Sequence, residues 1–286
     1  MTAGAVEHSR DTAFVALAND PVWEWFLPFV RSFREHNPDM PMVVIPYDDA
    51  MERIASIADE YRFEIADYDY GRIDRFTRLL FPTQPYRRRK IRKLSAFDFP
   101  YANIIYLDID TVVLSRFDRL SSLLAPGEAE FVYASRSPGW VFKPSAEKVP
   151  FLKGATPFSD GFFMTSNRFI TTDKAIRAVR DNFLTYRRHR ERKVYCQPVI
   201  NFAVRALGLK AKSVVDLGDE YSDQTFYRDE TIHAGADGYR DRDGRKVLFI
   251  HWAGDNIEGA RNDPKFGDLW RRYSDISVPS PLEGEG

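Results

Sequence analysis

The sequence predicts an α/β fold, a sheet joined by helical crossovers and flanked by helices, on three observations. Short apolar runs alternate with amphipathic stretches from the N-terminus onward, the pattern of strands linked by helices. An apolar run at 104–107, IIYL, stops abruptly at acidic residues, as a buried strand does where it leaves the sheet. Hydrophobic residues make up 44% of the 286, which is enough to bury a sizeable core.

In chain order, AFVALA at 13–18 reads as a buried strand. Residues 21–36 place Trp25, Phe26, Phe29, Val30 and Phe33 near helical spacing, and the HNPDMP segment ends that helix before a strand at 42–45. A helix at 49–60 and a short strand at 62–65 complete a β-α-β-α-β unit, the first half of a nucleotide-binding sheet. A basic run (Arg87, Arg88, Arg89, Lys90, Arg92, Lys93) falls on a helix reaching Phe97, and suits either a solvated face or a phosphate-facing one. NIIYL at 103–107 is a central strand, and 131–134 and 161–165 are further strands separated by a long loop, 136–157. Helices are expected at 170–189 and 197–207, and strands at 213–217 and 247–250. The polar segment between them has no clear assignment, and disorder is expected for the tail. The simplest organisation is one domain over 1–275 with a disordered tail at 276–286.

With 41 Lys plus Arg against 42 Asp plus Glu, the charge is balanced and no recognition motif accompanies the basic run, so nucleic acid is not an expected partner. The one cysteine, Cys196, excludes an intramolecular disulfide framework, and it reads as packing rather than a nucleophile because no His and Asn partners lie near it in sequence. No apolar run approaches the roughly 20 residues of a membrane span. The N-terminus lacks the apolar core of a signal peptide. The expectation is a cytoplasmic protein without a transmembrane segment, compatible with peripheral membrane association.

Chemistry concentrates at Asp108, Ile109 and Asp110, directly after the strand, where open α/β sheets bind ligands. In an extended segment alternate side chains face the same way, so both acids can approach one hard divalent cation while Ile109 points elsewhere. Both acids would equally serve to cap a turn and a following helix.

Three further segments accompany this pair: FVALANDPVW at 14–23, SDGFFMTSN at 159–167 and IHWAG at 250–254. Together with YLDIDTVVLSRFDRL they resemble the GT-A-fold nucleotide-sugar glycosyltransferases of the glycogenin and lipopolysaccharide galactosyltransferase family. The resemblance implies a single GT-A domain with a Rossmann-like mixed β-sheet flanked by helices. It implies a helix after the acid pair and transfer of a sugar from a nucleoside diphosphate sugar, UDP by resemblance, to an acceptor hydroxyl with retention of configuration. The acceptor, whether saccharide, lipid-linked glycan, small molecule or protein, stays open.

Residue by residue, the resemblance assigns Leu17, Ala18 and Asn19 to the nucleotide base, and Asp108, Asp110 and His251 to the metal, with Ile109 and Gly254 beside the donor. Lys93 matches the donor-contacting lysine upstream of the acids, and Asp160 and Gln197 face the transferred sugar. Two carboxylates and an imidazole suit Mn²⁺, with Mg²⁺ the second choice. Two positions depart from the family pattern. Cys196 stands where an acid precedes Gln197, with Asp160 the nearest substitute, and Ile257 stands where a lysine follows the His-x-x-Gly segment. Lys93, Arg89 or Arg261 is then the source of diphosphate neutralisation. Trp252 reads as core before sugar platform.

Two alternatives accompany this reading. DIDTV also satisfies the pattern of haloacid-dehalogenase-like phosphatases, with Asp108 as nucleophile, Asp110 as acid and base, and Mg²⁺ held with Asp219 or Asp223 from LGDEYSD near Lys212. The other is a nucleotide-sugar-binding protein without turnover.

Overall fold

The computed structural model describes residues 11–84, 89–137 and 139–274; the expectations for the N-terminal segment, for Arg87 and Arg88, and for the tail at 276–286 fall outside them. The chain opens with β1 (Thr12–Ala18), α1 (Trp23–His36), β2 (Met42–Pro46), the single turn α2 (Glu52–Ala55), β3 (Glu64–Ile65) and α3 (Gly71–Leu80). A 3-10 segment (Arg89–Asp98) then leads into β4 (Asn103–Leu107) and β5 (Thr111–Val113). β6 (Phe131–Tyr133), β7 (Phe162–Ser166), α4 (Thr172–Asp181), α5 (Phe183–His189), α6 (Cys196–Ala206) and β8 (Ala211–Ser213) follow. The last elements are a hairpin of β9 (His233–Gly235) and β10 (Gly238–Arg240), then β11 (Phe249–His251), α7 (Ile257–Arg261) and α8 (Gly267–Ser274).

Seven strands form one mixed sheet in the order β3-β2-β1-β4-β7-β6-β8. β1 pairs parallel with both β2 and β4, while β7 runs antiparallel to β4 and β6. The order reverses between β1 and β4, so their carboxyl ends, at Asn19 and Asp108, flank the crevice where such sheets take ligands.

Strand periodicity explains how the sheet is covered. Ala13 and Val15 of β1, Val43 and Ile45 of β2, and Ile104 and Tyr106 of β4 all enter one apolar cluster. Phe14, Ala16, Met42, Val44, Ile105 and Leu107, one residue out of phase, enter the cluster on the opposite face. α1 covers that second face through Phe26, Phe29, Val30 and Phe33, whereas α3, the 3-10 segment, α4 and α6 cover the first. A third cluster joins Val112 of β5 and Ile250 of β11 to Trp252, Phe266 and Trp270, and Trp252 is wholly buried core. Among the described residues no helix is long and apolar enough to cross a membrane.

Several sequence expectations need correction. The helix expected at 49–60 stops at Ala55. Its start is capped by the Asp20 carboxylate, which accepts from the backbone N–H of Arg53 and Ile54, and its continuation is captured by Arg34. The buried Arg34 guanidinium donates to the carbonyls of Tyr61 and Arg62, and Arg62 takes a positive φ of 50°. The helix expected at 170–189 divides at Asn182, whose side-chain amide donates to the Ala178 carbonyl and competes with the helical ladder. The strand expected at 213–217 ends at Ser213, because Ser213 and Asp216 form a reciprocal capping box that opens a 3-10 turn. The helix expected after the acid pair is instead the strand β5, whose Thr-Val-Val sequence is β-branched throughout. α3 was not anticipated.

Candidate functional site

The β5 correction builds the site. β5 pairs antiparallel with β11 in a register that sets His251 opposite Thr111, one residue beyond Asp110. The backbone locks this further: Trp252 N–H donates to the Asp110 carbonyl at 2.9 Å, and His251 N–H donates to Thr225 at 2.8 Å. A ligand-type atom from each of Asp108, Asp110 and His251 therefore lies within 4.8 Å of the others, the one such group of at least three among the described residues. His251 Nε2 stands 3.0 Å from Asp110 Oδ1. Burial pushes the imidazole's pKa down, but Asp110, by charge and hydrogen bond, with Asp108 behind it, more than reverses this and leaves it raised.

Asp108 is held from several sides. Its backbone N–H donates to the Gly161 carbonyl at 2.8 Å, and the Tyr106 hydroxyl donates to Oδ1 at 2.7 Å. Lys93 Nζ donates to the same Oδ1 at 3.1 Å and to Asp160 Oδ2 at 3.0 Å. Burial drives the Asp108 pKa up, yet Lys93, His251 and the Tyr106 hydrogen bond outweigh it, so the carboxyl is held below its usual range. Desolvation likewise lowers Lys93, and the two aspartates overcome it, placing the ammonium well above its ordinary value. Tyr106 was missed in the sequence reading, although it sits two residues before Asp108 on the same side of an extended segment and could have been found by the argument that paired the acids.

Gly161 is required where it stands. A Cβ there would lie 2.7 Å from His251 Cε1 and 3.4 Å from Asp108 Oδ2, so the close approach of β7 to the three side chains needs glycine.

Asp108 and Asp110 open onto a cleft of about 570 Å³ at the sheet's switch point, lined also by Leu17, Ala18, Asn19, Ile109 and Asp160, while the buried His251 stands behind the acids and is not among the lining residues. Asn19 is 1% exposed and its Nδ2 has no hydrogen-bond partner. A buried donor left unpaired costs roughly 1–3 kcal/mol, which a ligand acceptor would relieve. The Ile109 side chain packs into the core. Gly254 is not among the lining residues; it turns the chain with a φ of 80°, and its neighbour Asp255 lines the cleft instead.

The basic run divides by 3-10 geometry, in which side chains three apart lie above one another. Arg89 pairs with Asp48 and Arg92 with Asp74, whereas Lys90 and Lys93 both line the cleft. Lys90 has no ion-pair partner among the described residues, and its charge helps hold Asp108 ionised. Of the cations expected to meet a diphosphate, Arg89 and Arg261 are thus not on the cleft, while Lys90, named from the sequence only as a member of the basic run, and Lys193, not named there, are.

At the start of α6, Gln197 lines the cleft and donates to Ser137 Oγ at 2.6 Å. Asn201, fully buried one turn on, donates to the carbonyls of Gln197 and Phe158 and accepts from Phe158 N–H, fixing α6 to the strand leading to Asp160. Cys196 is buried, and burial with the adjacent Asp160 carboxylate pushes its thiol well above the usual value. The carboxylate absent at 196 is thereby present beside it, from Asp160.

The phosphatase set is not assembled. Asp219 is almost fully exposed and pairs with Arg245, Asp223 pairs with Arg136, and Lys212 is exposed on the edge strand β8.

No family model and no curated protein sequence matches the chain. Solved structures do. The galactosyltransferase LgtC, in complex with donor and acceptor sugar analogs, aligns with a TM-score of 0.63 at 15% identity over 95% of this chain and 99% of that one. The bifunctional glycosyltransferase WbbM aligns with a TM-score of 0.61 at 11% identity over 96% of this chain and 51% of that one. The glycosyltransferase GlyE of Streptococcus pneumoniae aligns with a TM-score of 0.53 at 13% identity over 94% and 61%. The fold is therefore of the GT-A type.

Proposed function

We propose that the protein is a metal-dependent glycosyltransferase that moves a sugar from a nucleoside diphosphate sugar to an acceptor hydroxyl. One observation carries the reading: His251 converges from far along the sequence on Asp108 and Asp110, which line the switch-point cleft of a GT-A-type sheet together with Asn19 and its buried, unpaired amide donor. Two carboxylates and an imidazole of that spacing fit a divalent ion, Mn²⁺ ahead of Mg²⁺ because of the nitrogen ligand. Bound there, the ion would supply electrophilic stabilisation to the leaving diphosphate.

The chain's own residues do the rest. Asn19 Nδ2 donates to a carbonyl of the nucleotide base, for which uracil is the proposed fit, with Leu17 and Ala18 against its face. Lys93 fixes the ionised state and orientation of Asp108 and ties it to Asp160, and Lys90 adds positive charge where the diphosphate leaves. Asp160 and Gln197 face the transferred sugar, where the carboxylate stabilises positive charge developing at the anomeric carbon. Configuration is retained in this proposal. The acceptor hydroxyl enters from the open side of the cleft.

The test is a panel of nucleotide sugars with Mn²⁺ and a range of acceptors, following release of the nucleoside diphosphate. Wild-type turnover that falls at least a hundredfold in Asp110→Ala supports the reading. Turnover unchanged in Asp110→Ala rejects the metal assignment, and nucleotide binding with no cleavage of any donor assigns the chain to binding without catalysis.

A further inference from the structure

Beside the cleft, the surface built by α3, α4 and α5 is unlike the whole chain in composition. The formal net charge is −1, so a strongly basic face implies that charge is segregated. α3 buries Ile73, Phe76 and Leu80 and turns Arg72, Arg75 and Arg78 outward with Leu79. α5 presents Leu184, Arg187 and Arg188, which at spacings of three and four share one helical face.

The three helices are contiguous. One groove is lined by Arg75 and Leu79 of α3 with Arg177 and Arg180 of α4. A second joins Leu79 to Arg187 and Arg190 across α3 and α5. A third sets Lys143 and Arg192 beside Leu184 and Arg188. Carboxylates answer only part of this charge: Asp173 pairs with Arg72 and Asp181 with Arg180, while Arg75, Arg177, Arg187, Arg188 and Arg192 have no ion-pair partner among the described residues. Among these arginines stand two exposed large hydrophobic residues, Leu184 at 79% and Leu79 at 50%.

Unpaired arginines with leucines projecting between them match a partner that offers dispersed negative charge above an apolar layer. Nucleic acid offers the charge without the apolar layer, and among the described residues the one large exposed aromatic ring beside this face, Trp140, is already covered by the Lys193 ammonium. We propose that the α3–α4–α5 face docks on a membrane surface carrying anionic phospholipid, with Leu79 and Leu184 entering the interface between the arginines. Tyr195 lines both the second groove and the metal-site cleft, so docking by this face sets the cleft beside the lipid surface. The inference stands apart from the transfer reading, because docking is measured with no donor present.

The experiment is co-sedimentation of the full chain with vesicles of phosphatidylcholine alone or with about one third phosphatidylglycerol, at low and high salt. Binding only to the anionic vesicles, abolished by high salt, is the expected result. At about fivefold per charge neutralised, Arg187→Glu with Arg188→Glu weakens binding by at least about 25-fold, and Arg75→Glu with Arg177→Glu, on the neighbouring helices, does the same independently. Leu184→Ser weakens it severalfold with the salt dependence unchanged. Arg242→Glu, outside all three grooves, leaves it as it is. Equal binding to neutral vesicles, no binding to anionic ones, or indifference to both arginine pairs overturns the proposal, as does capture of duplex DNA or an acidic protein with no vesicle binding.

Discussion

Replacing Gly161 with alanine tests the proposed metal site through one added carbon. The new Cβ would stand 2.7 Å from His251 Cε1 and 3.2 Å from Nδ1. Carbon atoms rest at about 3.5–4.0 Å, so one of the two must shift by about 0.8 Å. The strand cannot yield readily, since the Gly161 carbonyl holds Asp108 N–H at 2.8 Å, and the displacement therefore falls on the imidazole. Ligand positions in a metal site tolerate about 0.2 Å, and disturbing a group that orients a ligand costs about 10–100-fold in affinity. Gly161→Ala is expected to lose that much Mn²⁺ affinity, about 1.4–2.7 kcal/mol, in a calorimetric titration. Gly161 is not among the positive-φ glycines, so alanine strains no backbone there, and urea denaturation without metal should show an unchanged slope. Mn²⁺ affinity within twofold of wild type, in a folded variant, would refute the reasoning.

Three further outcomes are expected. Lys93→Met strands the Asp108 and Asp160 carboxylates and should lower stability at pH 7 by about 3 kcal/mol in urea denaturation. Because the Asp108 carboxyl is held below its usual range, its share of that stability is present at neutral pH and is lost as the pH falls through the lowered value; the gap between wild type and variant should close below about pH 4. Asn19→Leu removes an unpaired buried donor, so thermal unfolding of the ligand-free protein should stay level or shift upward while affinity for a uridine diphosphate falls at least tenfold; loss of both together would contradict the assignment. Cys196 should react with iodoacetamide at pH 8 at least about tenfold more slowly in the native chain than in urea, and equal rates would show that its thiol is neither buried nor raised.

The central strands and the acid pair were legible in the sequence because their signals are local. β1, β2 and β4 are apolar runs buried on both faces, and Asp108 and Asp110 mark the end of β4. What the sequence did not reveal depends on distant partners. The stop at Ala55 follows from the reach of Arg34 to Tyr61 and Arg62, and β5 exists because β11, well over a hundred residues later, pairs with it. That pairing turns two acids and a histidine into one constellation. The division of labour within the basic run was hidden for a similar reason: among its described residues, Arg89 and Arg92 are claimed by Asp48 and Asp74, and Lys90 and Lys93 turn to the cleft. Gly254 was placed against the donor by resemblance, whereas its left-handed turn delivers Asp255 to the cleft.

The central claim is that Asp108, Asp110 and His251 hold one divalent ion against a nucleotide's diphosphate. A crystal of the protein grown with Mn²⁺ and uridine diphosphate, with data collected at the manganese edge, tests it most directly. The account expects one anomalous peak within bonding distance of both carboxylates and of His251 Nε2, touching diphosphate oxygens, with the base beside Asn19. A nucleotide bound without that peak, or a peak that His251 does not reach, would contradict it.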